Sequence, residues 1–266
     1  MTLASSSVPA ADPAELLALG ARLAGRAGAA ISAERGGRTS VRVKSTPTDH
    51  VTAADLASDA AIRALLAAER PQDGLLCEEG DGVEPATGLR WVVDPLDGTV
   101  NHVHGVPHIS VSVACEAYLG GVWTATVGVV LDVTRGELFT GVRGGGSRLD
   151  DRPIRVTDPV PLARSLVATE FGYSAASRER QATALVRVAP QVGDVRSTGS
   201  SALDLCWVAA GRLDGYYEDE LARWDWSAGR LIVEEAGGVV TEHGAGVLAG
   251  GPDLHRALHG LLDTTG

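Results

Sequence analysis

Apolar side chains recur at helical spacing near the start of the chain, at Leu16, Leu17, Leu19, Leu23, Ala27 and Ile31. Asp12-Pro13 stands before them as an N-cap with proline in the first turn, predicting a helix to about residue 33. Residues 1–11 carry no such pattern and read as a tail. Val41-Arg42-Val43-Lys44 alternates and predicts a short strand. Thr52 and Asp55 have capping-box spacing ahead of Leu56, Ile62, Leu65 and Leu66, predicting a second helix to about residue 69. Strands are expected at 74–77, 90–94, 109–117, 122–131 and 137–142, with a turn at Gly144–Gly146. Composition shifts near 150–160. Beyond it, extended segments at 165–170, 213–217 and 238–242 alternate with helical patterns at 175–189, 200–210, 225–236 and from 253. Strand pairs mixed with helices, without regular βαβ spacing, predict an α+β or layered α/β protein. The composition shift suggests subdomains at 1–155 and 156–266.

Composition narrows the picture. Hydrophobic residues make up 44% of the chain and aromatics only 4%, so the core must be built from small aliphatic side chains packed closely. Acidic residues outnumber basic ones, 34 to 23, for a net charge of −11. Such a surface repels nucleic acid and anionic membranes. It also repels phosphate esters unless bound cations reverse the local field. Cys77, Cys115 and Cys206 are far apart, which argues against a zinc knuckle or dithiol site. Neither a secretory leader nor a membrane span is evident, so a cytoplasmic setting is expected.

Candidate chemistry concentrates in three acidic segments. In Trp91-Val92-Val93-Asp94-Pro95-Leu96-Asp97-Gly98-Thr99 an apolar strand runs into two aspartates three residues apart. Proline fixes one torsion and glycine permits a sharp turn, so the two carboxylates can converge. Carboxylates and the Leu96 carbonyl suit a hard cation such as Mg²⁺. A helix beginning near Thr99 would offer N–H groups to phosphate. The same residues also serve as ordinary turn and cap formers, and the local pattern leaves both readings open. Glu78-Glu79 closes another apolar segment, and Asp225 opens an apolar helix after Trp224. His102, His104 and His108 lie close together, but the first two would not share a helix face, which disfavours zinc.

These segments resemble the signatures of the inositol monophosphatase family. Val92 through Asn101 resembles its Asp-Pro-x-Asp-Gly-Thr-x-Asn signature. Trp224–Gly229 with Glu235-Ala236-Gly237-Gly238 resembles its second. Glu78-Glu79 matches, as does the stretch holding Lys44-Ser45, Asp49, Val51-Thr52 and Asp55. The resemblance spans roughly residues 12–260 and implies a layered α/β/α/β/α sandwich of the inositol monophosphatase and fructose-1,6-bisphosphatase type. It implies a lithium-sensitive phosphatase using two or three Mg²⁺ held by Glu78, Asp94, the Leu96 carbonyl, Asp97 and Asp225. By the same resemblance Thr99, oriented by Asp55, positions the attacking water. Glu79 lies behind the ligands near a third metal position, and Lys44 lies beside the site. Gly98 and Thr99 would cradle phosphate, while Gly199, Ser200, Ser201, Glu218 and Asp225 would meet the substrate. A homodimer acting on a small phosphorylated polyol or amino alcohol is implied. Inositol monophosphate leads, with histidinol phosphate or another sugar phosphate as alternatives. A regulatory protein-binding role is the alternative of another class. His102, Cys77, Ser201 and Trp226 depart from the usual pattern and leave the substrate open.

Overall fold

The computed structural model describes residues 11–34, 42–43 and 50–263, with backbone alone at 42–43. Lys44 and most of the expected N-terminal tail lie outside the described residues. Helix α1 (Pro13–Ala33) is opened by Asp12, whose carboxylate accepts from the Ala14 N–H at 2.9 Å. The pair β1 (Arg42–Val43) and β2 (His50–Val51) precedes α2 (Ala53–Glu69). The capping box forms, with Asp55 Oδ2 accepting from the Thr52 N–H at 2.8 Å. Leu56, expected on the buried face of α2, is 45% exposed, because Ile62 and Leu66 set a stripe from which its angular position departs.

Then come β3 (Gly74–Cys77), β4 (Leu89–Asp97), α3 (Thr99–His104), β5 (Ser110–Leu119), β6 (Val122–Asp132), β7 (Leu138–Val142), β8 (Gly146–Leu149) and β9 (Arg152–Pro153). Among the described residues β3 to β9 form one sheet in sequence order. Its first pair is parallel and every later pair antiparallel. The remaining elements are β10 (Leu166–Ala168), α4 (Ala175–Val188), β11 (Asp194–Arg196), α5 (Ser201–Ala209), β12 (Gly215–Glu218), α6 (Arg223–Glu235), β13 (Val239–His243), β14 (Gly246–Gly250) and α7 (Pro252–Leu262). They build a second sheet in the order β11-β10-β12-β14-β13. Strands β11 and β14 have no counterpart in the sequence reading. The first is too short to alternate, and glycines at both ends of the second mask its apolar centre.

Side-chain alternation sorts the sheets into layers. Trp91, Val93, Val113 and Val129 pack with α1 and α2. Val92, Ala114 and Val130 face the opposite way, into a middle layer with Leu205 of α5 and Ala228 and Ile232 of α6. Tyr216, Val247 and Ala249 of the second sheet close that layer from the other side. Val167, Tyr217 and Leu248 pack outward with Leu254 and Leu258 of α7 and Val188 of α4. The result is the expected α/β/α/β/α sandwich. Among the described residues no helix is long and apolar enough to cross a membrane.

The scarcity of large side chains is used where α6 crosses the first sheet. A Cβ on Gly128 of β6 would stand 2.8 Å from the Ala228 carbonyl oxygen of α6. That neighbour is backbone and cannot rotate away. Gly128→Val is therefore expected to destabilise the fold by about 2 kcal/mol, through overpacking. A thermal melt should show a midpoint lower by roughly 4–8 °C; an unchanged midpoint would mean that α6 does not lie this close.

Candidate active site

The Asp94–Asp97 spacing is resolved by a bulge rather than by a turn after the strand. In a regular strand, residues three apart point to opposite faces. Here Asp94 pairs with Ser112 and Asp97 with Ser110, so Pro95 and Leu96 together oppose Val111. The extra residue restores both aspartates to one face, the face of Val92 and the middle layer. Glu78 arrives from the neighbouring parallel strand, its N–H donating to the Val93 carbonyl at 3.2 Å. Asp225 arrives on the first turn of α6, where Ser112 Oγ donates to the Trp224 carbonyl at 3.1 Å. Asp225 both caps this helix and faces the cleft: it sits at the third helical position and accepts from the Ala222 N–H at 2.7 Å.

These four carboxylates line one cleft of about 780 Å³, together with Leu96, Gly98, Thr99, Gly199, Ser201 and Glu218. Buried Asp55 reaches Thr99 from α2: Thr99 Oγ1 donates to Asp55 Oδ1 at 2.8 Å and lies 3.2 Å from the Leu96 carbonyl. Ser58 Oγ, one turn further along α2, donates to the Pro95 carbonyl at 2.6 Å and pins the bulge. Gly98 has φ +94°, and a Cβ there would lie 3.0 Å from the carbonyl oxygens of Gly199 and His108. Only glycine fits that conformation and that contact.

The electrostatics are those of crowded acids. Burial, then Glu78, Asp97 and Asp225, push Asp94 well above the usual carboxylate range. Burial, then Asp97 and Glu78, do the same to Asp225. Asp97 is also raised by burial, although Ser200 and the Ala202 N–H pull it the other way. A cluster that resists ionisation by itself accepts cations readily, and an all-oxygen donor set suits Mg²⁺. Among the described residues no three His, Cys, Asp or Glu side chains stand in a ready coordination geometry. That includes His102 and His104 on α3 and His108, which packs edge-on to Trp207.

A sequence profile of the inositol monophosphatase family matches residues 12–261. The chain belongs to that family. It is 42% identical over 248 residues to an inositol-1-monophosphatase SuhB of Mycobacterium tuberculosis, covering 86% of this chain and 84% of that one. It is 40% identical over 235 residues to a Nus factor SuhB of Pasteurella multocida, covering 87% and 86%. The crystal structure of the extragenic suppressor protein suhB from Bartonella henselae superposes with a TM-score of 0.87 at 34% identity, over 94% of this chain and 99% of that one. As a member of the inositol monophosphatase family the chain is a hydrolase of phosphate monoesters.

The other sequence-derived candidates fall in different places. Glu218 is buried at the cleft, accepting from Tyr216 Oη at 2.5 Å and Ser201 Oγ at 3.3 Å. Ser200, expected beside the substrate, is fully buried, and its hydroxyl donates to Asp97 Oδ2 at 2.6 Å. It holds a carboxylate in place. The Gly199 N–H, expected near substrate, donates to Glu170 at 2.6 Å. Glu79 is buried beside Glu78, and its carbonyl accepts from Arg63. Three supporting residues escaped the sequence reading. Asn101 Nδ2 donates to the His108 and Thr198 carbonyls. Fully buried Glu116 accepts from Arg90, Arg223 and Ser227, fastening the start of α6 to β5. Glu170 carries no motif at all; Asn101 alone sat within a signature, and only as a pattern match.

Proposed function

We propose that this enzyme hydrolyses inositol monophosphate or a closely related polyol phosphate. The observation that carries the reading is the convergence on one cleft of carboxylates from β3, β4 and α6 with the Asp55–Thr99 pair. Glu78, Asp94, the Leu96 carbonyl, Asp97 and Asp225 would hold two or three Mg²⁺. Magnesium, when bound, neutralises the phosphate oxygens and lowers the cost of ionising water. The chain supplies orientation and proton handling. Because Thr99 Oγ1 donates its hydrogen bond to Asp55 Oδ1, a lone pair on Oγ1 faces the attacking water; as the water's proton passes to Oγ1, the Thr99 proton would pass on to Asp55. The Gly98 and Thr99 N–H groups would take phosphate oxygens at the start of α3. Glu218, framed by Tyr216 and Ser201, would accept from hydroxyls of the alcohol. A homodimer belongs to the same reading. A partner-binding role beside hydrolysis is a second reading, favoured by the Nus factor name of the Pasteurella relative.

Phosphate release from inositol 1-phosphate, histidinol phosphate and fructose 1,6-bisphosphate at saturating magnesium, with and without lithium, tests the substrate. Inositol 1-phosphate should have the highest kcat/KM and be inhibited by lithium; a preference for either other ester would overturn the reading. Glu218→Gln should raise KM for inositol 1-phosphate by roughly three- to tenfold, as expected for altering one hydrogen bond to the substrate. The same variant carries a pH signature. Burial pushes Glu218 up to about 8, against an ordinary 4.5. The folded chain thus keeps a proton that the unfolded chain has released. Its contribution to stability is present below about pH 4.5 and is lost as pH rises toward 8. Melts of the magnesium-free variant should lack that part of the decline.

A further inference from the structure

Glu170 follows β10 and lines the cleft, and it grips three consecutive residues of the opposing turn. Its Oε2 accepts from Ser197 Oγ at 2.7 Å. Its Oε1 accepts from the Thr198 N–H at 2.5 Å and from the Gly199 N–H at 2.6 Å. Thr198 is held from two further sides: its hydroxyl donates to Asp204 at 2.6 Å, and its carbonyl accepts from Asn101 at 2.7 Å. Gly199 cannot be replaced without a clash, since a Cβ would stand 2.6 Å from Asn101 Nδ2. The turn leads straight into Ser201, whose hydroxyl meets Glu218.

Placing a carboxylate there is unfavourable in itself. Burial, then Asp204, push Glu170 up to about 7, while the donors of the turn pull it down. The dependence is mutual: two backbone N–H groups and a hydroxyl find their acceptor in this one side chain, and losing it would leave them unsatisfied.

We propose that Glu170 is a positioning residue for substrate recognition, which by holding Ser197–Gly199 fixes where Ser201 and Glu218 meet the hydroxyls of the alcohol. The inference rests on the polyol-phosphate reading above. Asp97 is held by the same stretch through Ser200 and Ala202, but also by Ser110 of β5 at 3.2 Å. Loosening the turn should therefore disturb substrate binding more than turnover.

The experiment compares Glu170→Ala, Glu170→Gln and Ser197→Ala on whichever of the three esters the wild type turns over best. Glu170→Ala should raise KM about tenfold with a smaller fall in kcat, the loss expected when the acceptor of three hydrogen bonds is removed. Glu170→Gln keeps one acceptor oxygen for the two N–H groups and should recover most of that loss. Because Glu170→Ala and Ser197→Ala remove the two ends of the same contact, the double variant should be no worse than Glu170→Ala alone. An unchanged KM in Glu170→Ala would overturn the proposal. So would full additivity in the double variant, or a Glu170→Gln protein as impaired as the alanine. If Glu170→Ala does not fold, Ser197→Ala decides the matter: its KM should rise, and an unchanged KM would overturn the proposal. A wild-type chain that hydrolysed none of the three esters would overturn the substrate reading instead.

Discussion

Asp94→Asn is expected to lower turnover by about three orders of magnitude while leaving the fold intact. The loss follows from removing a carboxylate that would hold magnesium: several kcal/mol of charge stabilisation at the phosphate are at stake, and each ~1.4 kcal/mol is tenfold in rate. The stability effect should run the other way in magnesium-free protein. Burial, and then the neighbouring carboxylates of Glu78, Asp97 and Asp225, raise the pKa of Asp94. An acid whose folded pKa lies above its unfolded value loses stability as pH rises past the unfolded value near 4. Replacing it with a neutral isostere removes that penalty. The magnesium-free variant should melt higher than magnesium-free wild type at pH 7.5, and its gain on adding magnesium should shrink. Asp225→Asn, at the other side of the cluster, should behave alike. Wild-type turnover in both variants would end the account of the site. So would a magnesium-induced rise in melting temperature as large as the wild type's.

The second large effect is Thr99→Val, which keeps the shape of the side chain and deletes the hydroxyl. A positioned group that accepts a proton in the transition state contributes roughly 10²–10⁴-fold, so kcat should fall by at least about a hundredfold. KM and the magnesium concentration for half-activity should move little. Asp55→Asn should lower kcat in the same direction, but with a stability cost that Thr99→Val lacks. Asp55 also accepts from the Thr52 N–H and hydroxyl at the start of α2, at 2.8 and 2.5 Å. Equal kcat in wild type and Thr99→Val would remove Thr99 from the reaction.

How far the site could be read beforehand depended on the distance over which each residue acts. Glu78, Asp94, Asp97, Thr99 and Asp225 sit in short strings whose local geometry is written by their neighbours: a Pro-Leu pair that takes the extra place in a strand, a glycine at φ +94°, an acid in the first turn of a helix. Such patterns survive as patterns. Strand β14 did not, because five residues bounded by glycine carry too little alternation to stand out. The family resemblance places Ser200 near the substrate; its hydroxyl turns inward to Asp97, more than a hundred positions away in the chain.

From its order of residues alone, this protein's mixed strand-and-helix character could be worked out, since periodicity encodes backbone shape over a few residues; the five-layer sandwich and the acidic cluster were implied by the resemblance of contiguous motifs to a known family. The tertiary structure alone decided which side chains brace that cluster. Glu170 reaches Gly199 only once β10 and β11 have paired, and Glu116 reaches Ser227 only once α6 has packed on the first sheet. Hydrogen bonds of this kind depend on distances and angles set by strand pairing and by packing between layers, and no local rule of spacing determines how distant segments will meet.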